Sequence, residues 1–134
     1  IYTHILNEQH KLYCGYGHPL FDIDPSSITP DVMDLYRTSN RSYKKASGNQ
    51  LTDVRESAAL IANMEAQTIM IMSGQFIGTL PEHFAQHWQE RGLIRVLEHS
   101  ELVWHSPFYL ATRRTPTQRF AVSNFMEHFQ KCME

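Results

Sequence analysis

The chain has 134 residues, 42% hydrophobic and 19% charged, with a formal net charge of −2. That length supports one core and excludes two ordinary domains, and the composition is that of a globular protein. The basic excess that neutralises phosphates is missing, so these residues are not expected to grip nucleic acid themselves.

Two cysteines, Cys14 and Cys132, stand at opposite ends. They are too few for a disulfide scaffold and fit a reducing, cytoplasmic setting. The longest apolar runs hold only a few residues, far short of a membrane span. Ile1 opens on a strand-like pattern with no initiator Met, charged start or apolar leader, so the chain is expected to be a fragment or a processed piece.

In chain order, Ile1–Leu6 and His10–Gly15 are predicted as strands joined by a short turn, Asn7-Glu8-Gln9. Gly15-Tyr16-Gly17-His18-Pro19 breaks the second strand, and Leu20 and Phe21 tuck under the following loop. Thr29-Pro30 reads as a helix cap and first helical residue, followed by Val32, Met33, Leu35 and Tyr36. Residues 38–53 are polar and basic, read as a loop with an edge strand near Arg41–Lys45. Ser57–Ala62 has the small apolar character of a buried strand.

The clearest unit comes next. Asn63 caps a helix with Glu65 in its first turn, and Met64, Ile69, Met70 and Met72 are its expected buried stripe. Gly74 ends it in a left-handed conformation. Phe76-Ile77-Gly78-Thr79-Leu80 is the pattern of a parallel strand covered on both faces. Pro81 opens a helix with Phe84, Ala85 and Trp88 on one face and Gly92 at its end. Leu93–Leu97 is a strand, Glu98–Val103 a loop, and Trp104–Thr112 a longer strand with Phe108 and Leu110 on one face. Arg113–Thr117 breaks the chain. A final helix runs to about Met133 with Ala121, Phe125, Phe129 and Cys132 at helical steps. This order is α/β organisation.

The chemistry-bearing residues do not form an enzyme's constellation. His83 and His87 share a helix face and could hold zinc, but Glu82 precedes the first histidine, the reverse of the metalloprotease order; a solvated face is the plainer reading. His4, His10, Cys14 and His18 lack a paired metal spacing, and Cys14 with His18 lacks a third, orienting residue. Gly74 and Gly78 span a helix end and a strand, the reverse of a phosphate cradle. Arg37, Arg41, Lys44 and Lys45 with Tyr36 and Tyr43 read as a solvated loop. No cofactor is implied.

Several strings in order carry a resemblance. Leu12-Tyr13-Cys14-Gly15 precedes His18-Pro19-Leu20-Phe21. Glu65-Ala66 and Ser73-Gly74 precede Ile77-Gly78-Thr79-Leu80-Pro81, which continues through Glu82-His83-Phe84-Ala85, Trp88, Gly92-Leu93 and Leu97. Phe108-Tyr109-Leu110 and the last helix complete the set. Together these resemble the small-molecule-sensing domain of LysR-type transcriptional regulators. Phe76 departs from the glycine that many members carry before this strand.

The resemblance implies an α/β fold like one lobe of a type II periplasmic binding protein, three-layered, with a mixed, mostly parallel sheet. Residues 1–112 would be most of the second lobe, incomplete at its start, and 113–134 a helix returning to the first lobe. It implies a homo-dimer or tetramer that reaches DNA only through an N-terminal helix-turn-helix lying outside this chain, with no membrane partner. A small effector, a carboxylate or aromatic acid, would sit between the lobes and shift their arrangement. Ligands of open α/β sheets bind at strand carboxyl ends and helix starts, so Ile61, Ala62, Asn63, Met64, Gly78 and Thr79 are the expected effector contacts. The alternative to Asn63 as a contact is Asn63 as a cap alone. Other readings are a solute-binding module of a periplasmic or transport protein, and a metal-dependent hydrolase using His83 and His87. A lone lobe would expose an apolar face and associate.

Overall fold

Five strands hydrogen-bond in the order β3-β2-β4-β1-β5, with β6 also paired to β1. The computed structural model describes residues 1–41, 57–113 and 119–133. The elements are β1 (Tyr2–Gly15), a short 3-10 turn (Pro25–Ser27), α1 (Val32–Leu35), β2 (Thr38–Arg41), β3 (Ala59–Ile61), α2 (Met64–Met72), β4 (Ile77–Pro81), α3 (Glu82–Glu90), β5 (Ile94–Val96), β6 (Val103–Ala111) and α4 (Phe120–Met133). β2 runs parallel to both β3 and β4, while β1 is antiparallel to β4 and β5. The sheet is therefore mixed, with β1 reversed among strands that otherwise share a direction.

The chain divides into two units, Glu8–Ser106 and the pair of segments Ile1–Asn7 and Pro107–Glu134. In the larger unit the strand alternation builds two cores. Leu12 and Cys14 of β1 join Ile77, Leu20, Ile28, Val32, Leu97 and Leu102 on one face. Tyr13 between them points the other way, to Ile71, Leu80, Ala85 and Ile94 beneath α2 and α3. Helices on one face, sheet, and the 18–36 loop with α1 on the other make three layers. In the smaller unit, Ile1 and Thr112 exchange both backbone hydrogen bonds. There His4, Ile5, Leu110, Met126 and Phe129 line an open groove of about 420 Å³.

Several expectations are corrected. Asn7-Glu8-Gln9 is not a turn: β1 runs unbroken through it, because polar residues, as Glu8 pairing with His10 shows, extend as readily as they turn. α1 begins at Val32 with Asp31, not Thr29, at the cap position. β3 is a half-buried edge strand with Leu60 59% exposed, whereas β2 lies inside the sheet and is buried throughout. The stripe of α2 has the expected period but a different phase. Gln67, Thr68 and Ile71 are buried and Ile69 is 63% exposed. Gln67 and Thr68 can enter because both find backbone acceptors, Ser39 O and Met64 O. Of the apolar residues of α4, Met126 and Phe129 are half-buried and Phe125 is exposed. Residues 42–53 of the basic stretch, with Tyr43, Lys44 and Lys45, and most of the Arg113–Thr117 break lie outside the described residues.

Candidate functional site

The parallel strands β2 and β3 end side by side, with Arg41 opposite Ile61. Directly after β3 the chain turns through Ala62 and Asn63 into α2. Asn63 is extended, and its Oδ1 accepts from Ala66 N at 2.8 Å. The cap satisfies one of the amides that a helix start leaves open and leaves others aimed along the axis. Ala62 and Asn63 are exposed and Ile61 and Met64 half-buried, so these four predicted contacts form one accessible run at a strand carboxyl end. With Glu65 in the first turn, the helix-start dipole is partly offset by a negative side chain.

Gly78 and Thr79 lie in the same sheet, two strands along from β3. Both are buried in the middle of β4, opposite Tyr13 and Leu12 of β1. Gly78 lies under Gln67, whose side chain would collide with any Cβ there. The structure thus brings 61–64 together at the surface and uses Gly78 to admit Gln67.

Sequence reasoning missed β2. Thr38, Ser39, Asn40 and Arg41 are all buried, although none is apolar. Polar groups in such a place need partners. Ser39 O accepts from Gln67 Nε2 at 2.7 Å, Asn40 Nδ2 donates to Ser57 Oγ at 2.6 Å, and Thr38 O accepts from Ala58 N at 3.0 Å. The signal was the run itself, which lacks apolar residues and so reads as loop. In space it places Asn40 and Arg41 at the same sheet edge as Asn63.

The reactive-residue readings find no support in the geometry. Cys14 is fully buried, and burial pushes its thiol up to about 11, with Arg95 opposing part of that rise. A thiol raised in this way yields little of the thiolate that a nucleophile needs. His18 is buried, its Nδ1 accepts from Leu20 N at 3.1 Å, and its ring meets Tyr36 at 4.9 Å. Burial lowers its pKa below the ordinary histidine value, which keeps that acceptor available. His87 stands edge-on to Trp88 and His83 approaches Glu8. Among the described residues no three His, Cys, Asp or Glu side chains gather where a metal could be held.

A mixed open sheet with helices on one face and α1 on the other has the α/β lobe fold of the type II periplasmic-binding-protein class. The LysR substrate binding domain model matches residues 1–133, and the chain belongs to that family. It is 26% identical over 127 residues to the HTH-type transcriptional activator BauR of Pseudomonas aeruginosa, covering 94% of this chain and 42% of BauR. Among solved structures it resembles the regulatory domain of CcmR from Synechocystis PCC6803 in complex with 2-PG, at TM-score 0.73 and 17% identity, over 100% of this chain and 67% of that one. The bromide-bound regulatory domain of HypT from Salmonella typhimurium matches at TM-score 0.67 and 16% identity, over 99% and 64%. The chain therefore spans less than half of BauR and about two thirds of these regulatory domains. Among the described residues no helix is long and apolar enough to cross a membrane.

Proposed function

We propose that this chain is the effector-sensing part of a LysR-type transcriptional regulator. Residues 1–112 supply most of the second lobe, and 113–134 a helix returning to the first. It works by binding rather than catalysis, in the cytoplasm, as part of a dimer or tetramer whose DNA contacts come from a helix-turn-helix outside this chain. The observation that carries the reading is the accessible run Ile61–Met64, where a strand carboxyl end meets a capped helix start. Amides at such a start favour anions. A small carboxylate is the effector class that fits, and bound ligands in the CcmR and HypT regulatory domains accord with a binding role. Asn63 and Met64 contact the effector, flanked by Ile61 and Ala62. Gly78 and Thr79, the two expected contacts on β4, are buried in the same sheet two strands along.

Isothermal titration of the complete two-lobed sensing domain against small aliphatic and aromatic acids tests this. At least one acid is expected to bind. Asn63→Asp keeps a capping oxygen, so folding is preserved, but its charge weakens carboxylate binding at least tenfold. No binding by any acid, or undiminished binding by the Asp variant, overturns the assignment.

A further inference from the structure

Gln67 is fully buried, yet only one end of its amide is matched. Its Nε2 donates to Ser39 O at 2.7 Å, and because a carbonyl only accepts, that bond fixes which end is which. Among the described residues Oε1 has no hydrogen-bond partner. Native proteins rarely leave a buried acceptor open, so an open one calls for a donor from elsewhere. Two features turn this acceptor towards the accessible run Ile61–Met64. Side chains of a helix lean towards its amino end, so Gln67, four residues past the cap Asn63, leans over the first turn of α2. Met64 and Gln67 stand three apart and share a face of the helix. Met64 is half-buried and unbranched, so its side chain can swing aside for a ligand. Gly78 completes the arrangement, since its lack of a side chain leaves the room that the amide occupies.

We propose that the effector is a hydroxy acid, with its carboxylate at the start of α2 and its hydroxyl donating to Gln67 Oε1. This rests on the reading that Ile61–Met64 binds a small carboxylate, and it names the second group that the ligand carries. The helix start offers amide donors and attracts negative charge, which suits the carboxylate. A hydroxyl brings one O–H for Gln67 Oε1 and lone pairs for an adjoining amide. An ammonium would bring three donors and a positive charge to a buried place beside the positive end of a helix, which opposes it. An acid with hydrogen in place of the hydroxyl would cover Oε1 without giving it a donor, and so binds more weakly. Gln67 thereby selects among acids, while the start of α2 holds the anion.

Isothermal titration of the full-length regulator against matched acids tests this. The pairs are glycolate with acetate, lactate with propionate and mandelate with phenylacetate, together with the amino analogue of each hydroxy acid. At least one hydroxy acid is expected to bind about tenfold more tightly than both its unsubstituted partner and its amino analogue, as one buried hydrogen bond would give. Gln67→Met keeps the length and bulk of the side chain but removes the acceptor, along with the bond to Ser39 O. In that variant the hydroxy acid should fall to the affinity of its unsubstituted partner, whose own binding is unchanged. Unsubstituted acids that bind the parent protein as tightly as hydroxy acids overturn the hydroxyl assignment and leave the carboxylate site standing. An amino analogue that binds tightest does the same. No binding by any acid overturns both. The comparison in the parent protein decides the matter even where Gln67→Met does not fold.

Discussion

Gln67 occupies the space that a side chain at Gly78 would need. An added Cβ would lie 2.4 Å from Gln67 Nε2 and 2.7 Å from Ser39 Oγ. Gln67 is fully buried and its amide is fixed on Ser39 O, so it has little room to yield. Gly78→Ala is expected to destabilise the chain by about 1–3 kcal/mol, the range for overpacking in a filled core. Urea unfolding measures it as a lower midpoint with an unchanged slope. Wild-type stability in the variant would mean that Gln67 is not held as described.

That relationship marks what the sequence could and could not reveal. β4 and its flanks were legible because each position obeys a local rule. Asn63 accepts from Ala66 N, Gly74 has φ 71°, and Ile77–Pro81 is buried from end to end. The ordered strings through Leu97 pointed to the family that the matched residues establish. β2 was illegible because its burial is compensated by distant partners: Gln67 is 28 residues from Ser39, and Ser57 is 17 from Asn40. Periodicity cannot register a polar strand whose hydrogen bonds are tertiary. The phase of α2 is illegible for the same reason, since a stripe read from apolar residues alone passes over Gln67. At the proposed effector contacts, a strand end and a cap were readable, but the depth of Gly78 and Thr79 follows only from the pairing of β4 with β1.

Cys14 and Tyr13 make the fold sensitive to alkali. Burial pushes the Cys14 thiol up to about 11 and the Tyr13 phenol up to about 12, the latter helped by the negative charge of Glu82. Both acids ionise more readily in the unfolded chain, so the folded state holds more protons there and stability falls as pH rises. The loss should begin near the unfolded thiol value of roughly 8.5 and continue towards the raised folded values. Iodoacetamide at neutral pH should label exposed Cys132 and spare buried Cys14. Intact-mass measurement checks it: one adduct in the folded chain and two after unfolding in urea. Two adducts under native conditions would contradict the burial of Cys14.

His18 carries the opposite pH dependence. Its pKa is lowered by burial, and its Nδ1 must stay unprotonated to accept from Leu20 N. The unfolded chain therefore takes up the proton first. The stability His18 supplies is complete above the unfolded value of roughly 6.5 and is lost as pH falls through the window below it. His18→Asn keeps a side-chain oxygen able to accept a hydrogen bond two residues on, but it cannot titrate and gives up the contact with Tyr36. The variant should thus be less stable than the parent at pH 7.5, with the gap narrowing towards pH 5 on the low side of that window. Urea midpoints at the two pH values give the gap directly. A constant gap would show that His18 takes up its proton equally readily in both states, and one that widens in acid that the folded chain takes it up first; either contradicts an Nδ1 held unprotonated by Leu20 N.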